Sequence, residues 1–478
     1  MVNARFFMLL KIQKFIIFIF VFFLVLNSVS AQAQENYHNK DSLLGVLEET
    51  YQNNPTIKAA RAELSAVRER VPQAYANFQP TINADAGITS SHTDSSISGG
   101  GTSRSEADGS TSKNISLDIS QPVFRGGRSV AELAAAKDLI SAQEALLLQT
   151  EQSIMLDTVI AYMDVLYDKA FLELARNNYN VIERQMEETQ ARFDVGELTL
   201  TDVSQAKSRL AAAHADIIQG EGDLQSDAAR LEELSGYIPQ NYRRPAFDLA
   251  LPQTMSEMME LADKRNPAIL AAKNLDSAAD NDVDNVFGEL LPQVFLTARW
   301  ARSYDPQPGL IDEETTRSVT LNADIPLYQG GAVYSRLRES KEISSQRYME
   351  LKEARRYARQ QTVSAWKQYE IAKATIEARK TQVDAASIAR EGVKEEELAG
   401  LRTILDTLDA EQEYLQAQVD MLAAERNEII ARFSLAAILG ELTVENLSMN
   451  ISSRSNSYKH VVKKRILNTD VDRLTFPD

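Results

Sequence analysis

The sequence contains no cysteine, which excludes disulfides, thiolate metal sites and lipidation at an N-terminal cysteine. Histidine is nearly as scarce. His38, His92, His214 and His460 stand singly, at none of the spacings that mark metal-ligand pairs. No G-x-x-x-x-G-K-[ST] follows the glycine pairs Gly126-Gly127 and Gly330-Gly331, so they are read as strand-to-helix corners rather than phosphate loops. With no catalytic constellation recognisable, the expectation is a protein that is not an enzyme and uses no cofactor and no metal. Beyond the N-terminus, no stretch approaches the roughly 18 apolar residues of a spanning helix. If the chain crosses a membrane, it must do so with strands. Cations are also short: 51 Lys and Arg against 68 Asp and Glu leave a formal charge of -17, which disfavours nucleic acid as a partner.

What the N-terminus has is the pattern of a secretory signal peptide. Arg5, Lys11 and Lys14 precede an apolar run over 15–26, and Ala31-Gln32-Ala33 offers a cleavage site, which bounds the segment at 1–33. The run is shorter than the roughly 20 residues of a spanning helix; a retained N-terminal anchor is the alternative. Cleavage would remove three cations and take the charge to -20.

The remainder states one unit twice. "NNPTIKAARAEL" from Asn53 recurs as "RNPAILAAKNL" from Arg265, and "FQPTINADAGI" from Phe78 as "LLPQVFLTARW" from Leu290. "DISQPVFRGGR" from Asp118 matches "NADIPLYQGGA" from Asn322, and "VGELTLTDVSQA" from Val195 matches "LAGLRTILDTLDA" from Leu398. The offset is about 212 residues before the first loop and about 204 after it, so the halves differ mainly by a loop insertion of about eight residues. The expected repeats are 34–240 and 241–440, followed by a polar tail over 441–478 that reads as a flexible or girdling extension.

Each repeat contains two alternating segments. Ile82, Ala84, Ala86 and Ile88 share one side, with Asn83 and Asp85 on the other. The same holds for Ile115, Leu117 and Ile119, for Val294, Leu296, Ala298 and Trp300, and for Val319, Leu321, Ala323 and Ile325. Segments of about ten residues fit tilted membrane strands, with Phe124, Trp300, Tyr304 and Tyr328 near the ends where aromatic girdles occur; a soluble antiparallel sheet with one wet face has the same alternation. The hairpins are bounded at 78–125 and 291–328, with polar loops over 89–114 and 303–317.

Between Gly127 and Gly196 there is neither glycine nor proline, only strong helix formers. A long helix is expected over 129–193 and again over 332–398, each near 100 Å at 1.5 Å per residue. Leu133, Ile140, Leu147 and Ile154 recur at heptad spacing, as do Ile160, Tyr167, Leu174 and Val181. Return helices follow over 201–235 and 403–440, and shorter helices are expected over 41–74 and 254–289. Four strands cannot close a barrel, and open edges cannot face lipid. Eight strands are filled by their own side chains, so three chains supplying twelve are the smallest cyclic arrangement that leaves a pore.

The "NP" helix starts, "QPVFRGGR", "IPLYQGGA", "VGELTLTDVSQA", "GLRTILDTLDAEQEYLQAQ" and the late "AILGEL" resemble TolC-like outer-membrane efflux proteins over nearly all of 41–440. The resemblance implies a mainly α, α+β membrane protein: a homotrimer whose twelve-stranded barrel in outer-membrane lipid continues as an α-helical barrel across the periplasm. It further implies an exit duct for an efflux pump or a type I secretion system, working with a periplasmic adaptor and an inner-membrane transporter. By the same resemblance Asp202 and Arg402, beside the turns at Gly196 and Gly400, match an entrance salt-bridge pair, and Asp406 and Asp409 match paired acidic rings. Glu397 stands where the family has a tyrosine, so a hydrogen-bonded link there is replaced, on this reading, by repulsion.

Local chemistry offers a second role for two of these groups. Thr199-x-x-Asp202 and Thr403-x-x-Asp406 read as capping boxes, and cap and gate are compatible. The rival to the duct is a secreted coiled-coil stalk without a pore.

Overall fold

A computed structural model describes residues 40–99, 102–245, 251–307, 311–443 and 446–447. The signal peptide and most of the tail lie outside these residues. In chain order the elements are α1 (Leu43–Asn53), α2 (Pro55–Arg68), α3 (Arg70–Ala76), β1 (Thr81–Gly99), β2 (Thr102–Arg125), α4 (Arg128–Asp194) and α5 (Leu200–Ser235). The second half supplies α6 (Met255–Arg265), α7 (Pro267–Phe287), β3 (Gln293–Gln307), β4 (Ile311–Asp324), α8 (Ala332–Leu398) and α9 (Ile404–Ile438). Both α4 and α8 are 67 residues long, about 100 Å at the standard rise.

The compact units of the chain are not the sequence repeats. One comprises Met1–Arg61, Leu147–Pro267 and Tyr357–Asp478; the other comprises Ala62–Leu146 and Ala268–Arg356. These units cut across the expected repeats 34–240 and 241–440, because each long helix runs through the division between units.

The second unit holds a single antiparallel sheet in the order β1-β2-β3-β4. Directly paired residues lie on the same face, so register converts alternation into rows. Ile82, Ile119, Ala298 and Val319 form one row; Ala84, Leu117, Trp300 and Arg317 the next; Ala86, Ile115, Arg302 and Thr315 the next; Ile88, Lys113, Tyr304 and Glu313 the last. On the opposite face, Asn83, Asp118, Arg299 and Ser318 form a row, followed by Asp85, Ser116, Ala301 and Thr316. One side is mainly apolar, with Lys113, Arg302, Glu313, Thr315 and Arg317 as its polar positions in these rows, and the other is polar across all four strands.

The loops expected over 89–114 and 303–317 are instead largely strand. The first hairpin pairs continuously from Thr81↔Ser120 to Gly99↔Thr102, and the second reaches Gln307↔Ile311 through an irregularity after Tyr304, beside Asp305 at φ 49°. Ladder hydrogen bonds need no apolar alternation. A hairpin that is polar on both faces therefore loses its sequence signal without losing its strands.

In the first unit the core gathers Leu43, Val46 and Leu47 of α1, Met155, Val159 and Tyr162 of α4, Leu231 of α5 and Phe433 of α9. Tyr162 is fully buried; its hydroxyl donates to the Asp41 carbonyl at 3.0 Å and accepts from the Arg243 N–H at 2.9 Å. The heptad positions Ile154, Ile160 and Tyr167 are only half-buried, whereas Met155, Val159 and Tyr162 form the seam. The beginning of the tail is not a free extension, since Leu442 and Leu447 enter this core and Gln152 exchanges two hydrogen bonds with the Leu442 backbone.

The helices expected over 41–74 and 254–289 are each broken at an Asn-Pro step. Proline drives the residue before it out of helical geometry, and Asn54 and Asn266 sit at ψ 126° and 124°. Each buried asparagine then donates from its side chain to the end of a return helix: Asn54 to the Leu234 carbonyl and Asn266 to the Ile438 carbonyl, both at 2.9 Å.

Candidate functional site

The polar residues singled out in the sequence converge on the two helix-to-helix turns of the first unit. Both turns are built alike. Gly196 and Gly400 adopt φ 85° and 74°, a region that costs other L-residues, and each closes its long helix with a pair of backbone bonds. Glu197 N–H bonds Arg192 C=O at 2.9 Å, and Leu401 N–H bonds Glu396 C=O at 2.8 Å. Three residues after each glycine a threonine starts the return helix.

Thr199 and Thr403 form complete capping boxes. Thr199 donates N–H and hydroxyl to the Asp202 carboxylate at 2.9 and 2.7 Å, and Thr403 does the same to Asp406 at 2.9 and 2.7 Å. These hydrogen bonds hold both carboxyls below the usual carboxylate range: the Thr199 hydroxyl leads at Asp202, and the Thr403 backbone N–H leads at Asp406. Each box uses Oδ2 of its carboxylate, so both aspartates stay ionised with Oδ1 outside the box.

Within one chain Asp202 and Arg402 do not meet. The exposed Arg402 guanidinium bonds Glu396 at 2.9 Å, which, ahead of the nearby Asp406 charge, raises its pKa further. Asp409 is not a free acid either, because Arg209 of α5 donates to it at 2.5 Å. The expected repulsion at Glu397 is overturned. Glu397 is 91% buried, at 9% exposure, and receives Arg192 of α4 at 2.7 Å, so the position is a charge-assisted link between the ends of the two long helices.

Beneath these polar links Ile182 of α4, Ala206 of α5, and Ile404 and Leu408 of α9 form a small buried cluster, flanked by Met186, Leu198 and Leu210. Arg192 and Arg209 were not legible as site residues, since an arginine on a helix is most often solvated. The available signal was the unmatched acid at Glu397, which at the end of a long helix needs a cation.

Known proteins carry the same plan. The family model for outer membrane efflux proteins matches residues 46–237 and 258–441. The outer membrane efflux protein BepC of Brucella suis biovar 1 (strain 1330) is 30% identical over 413 residues, covering 86% of this chain and 88% of that protein. The outer membrane protein TolC of Escherichia coli (strain K12) is 23% identical over 437 residues, covering 88% and 87%. Among solved structures, the outer-membrane channel OprN superposes with a TM-score of 0.74 at 22% identity, over 85% of this chain and 92% of that one.

Proposed function

The chain belongs to the outer membrane efflux protein family, and on that premise we propose that three copies close a twelve-stranded barrel around a pore. The protein is an outer-membrane exit duct that extends into the periplasm. The observation carrying the trimer is the sheet. It is mainly apolar on one face and polar on the other, with β1 and β4 as edges unpaired among the described residues. Lipid offers no partner for an open edge, so β4 of one copy pairs with β1 of the next, and the polar face lines the lumen. The repeated order of strand pair, long helix and return helix supports a duplicated unit whose helices continue the passage as an α-helical barrel.

The two capped turns form the periplasmic entrance. Arg192–Glu397 and Arg209–Asp409 fix the turns within one protomer, and Asp202 and Arg402 latch neighbouring protomers. Asp406, ionised and near Arg402 but in no salt bridge among the described residues, supplies the acidic ring. The duct is passive. A periplasmic adaptor and an inner-membrane transporter open the latch and supply energy and cargo, for drug efflux or type I secretion.

Detergent extraction of outer membranes should yield a heat-modifiable trimer that conducts ions in planar bilayers; a soluble, non-conducting rod would contradict the duct. Arg402→Ser should raise single-channel conductance by loosening the entrance. An unchanged conductance would remove the latch and leave the duct standing.

A further inference from the structure

The apolar face of the sheet carries cations where a lipid-facing surface should have few. Lys113, Arg302 and Arg317 lie on that face in three successive rows, on the hairpin side of the all-apolar row of Ile82, Ile119, Ala298 and Val319. Trp300 and Tyr304 alternate with them along the strands, and the Arg302 guanidinium lies 5.1 Å from the centre of the Tyr304 ring. One of the three is satisfied internally, Arg302 by Glu313 at 2.7 Å. Lys113 and Arg317 are exposed, and no ion pair is formed by either among the described residues. The group is thus three cations against one carboxylate. Beside it a shallow cleft of about 310 Å³ is lined mainly by Leu117, Ile119, Ala298, Trp300 and Val319, with Arg317, Arg299 and Ser318 completing it.

A charge on a lipid-facing strand is costly at mid-depth and tolerated near the interface, where an anionic headgroup can meet it. The layering of apolar cleft, then aromatic rings, then unmatched cations complements an amphiphile with acyl chains below and phosphate above. The polar opposite face has no such layering. There Arg299 is offset by Asp118 at 3.6 Å and stands among Asn83 and Ser318.

We propose that Lys113, Arg302 and Arg317 form a binding site for the phosphate of a phosphorylated glycolipid of the outer leaflet, with its acyl chain in the cleft edged by Trp300 and Val319. The inference rests on the barrel reading, which places the apolar face in lipid and the hairpin turns outside. Each protomer carries a complete site, so an assembled trimer holds three. Arg317 and Lys113 make the phosphate contacts, and Arg302, steadied by Glu313 and Tyr304, adds charge between them.

The test uses the full-length protein reconstituted in nanodiscs and challenged with bis-phosphorylated lipid A, dephosphorylated lipid A, phosphatidylglycerol or inorganic phosphate. Native mass spectrometry counts the lipid retained per chain after dilution. Bis-phosphorylated lipid A should be retained, and the double variant Lys113→Gln with Arg317→Gln should lose that retention by on the order of tenfold. Lys341→Gln, an exposed cation on α8 rather than on the sheet, should retain it. Inorganic phosphate should neither bind measurably nor compete. Equal retention of the dephosphorylated or phosphatidylglycerol lipid, competition by free phosphate, or unchanged retention in the double variant would overturn the site. Conductance of the wild-type protein in planar bilayers decides the barrel reading separately: a conducting protein that retains no lipid refutes only the lipid site.

Discussion

Asp168 is the residue whose surroundings are hardest on its charge. It lies on α4 at 7% exposure, with Oδ2 buried and bonded to nothing among the described residues. Asp223 and Asp227 face it from α5 and Asp164 from its own helix, while Arg426 of α9 is engaged by Asp164. Burial first, and then the charge of Asp227, pushes the Asp168 carboxyl up to about 7 from an ordinary value of 3.8. The sign follows from proton counting. Between about pH 4 and pH 7 the folded chain keeps a proton that the unfolded chain has released, so stability falls as pH rises through that window and stays lowered above it. Asp168→Asn, which is neutral at every pH and can donate to Asp227, should flatten that slope. Thermal midpoints of the detergent-solubilised protein at pH 5 and pH 8 should differ less in the variant than in the wild type; equal differences would dismiss the buried proton. None of this was legible in the sequence, where Asp168 is one acid among many. Burial of a polar group depends on which helices pack together. The aspartates at the turns were legible because their partners are three residues away, whereas Arg192–Glu397 spans 205 residues and carries no local signal.

At the scale of elements, the Asn-Pro steps show how a local rule acquires a tertiary role. Proline announced a helix start in each repeat, but the sequence pattern on both sides was helical enough to suggest one continuous element. Steric exclusion at the residue before proline decided for a break. The break turns each asparagine into a connector. Asn54 Oδ1 accepts from the N–H groups of Thr56 and Ile57 at 2.9 and 3.2 Å, while its amide reaches the last turn of α5. Removing it takes away both a cap and the partner of a helix-end carbonyl. Asn54→Ala should destabilise the first unit by about 1–3 kcal/mol. Hydrogen exchange should report the loss in the last turn of α5 and the first of α2, and Asn54→Asp should restore the cap while leaving the Leu234 carbonyl without its donor. Loss confined to α2 would mean that the connection to α5 carries no stability. The strands present the converse case. Their cores were legible by period two, but their ends over 89–114 were not, because polar residues on both faces erase the alternation while the backbone ladder continues.

For the whole molecule, the decisive property is that the sheet has one mainly apolar and one polar face and, among the described residues, two edges without partners, so on the barrel reading a single chain is incomplete in lipid. Neighbouring residues on β4 separate assembly from conduction. Leu321 lies on the apolar face, 67% exposed in the single chain, and Thr320 lies beside it on the polar face. An arginine on the lipid-facing side of a barrel strand costs about 2–4 kcal/mol at mid-depth, and a cyclic trimer incurs that cost three times. Leu321→Arg should therefore reduce the heat-modifiable trimer recovered from outer membranes. Thr320→Arg should leave the trimer in place and shift the channel away from cations, because it adds three positive charges to the polar lumen. The pair of outcomes is diagnostic because the substitutions are chemically identical and adjacent in sequence, differing only in the side of the sheet they enter. If both abolished the trimer, or neither changed selectivity, the faces would not be lipid and lumen. If Leu321→Arg alone changed selectivity, the sheet would be closed inside out relative to the arrangement its register implies.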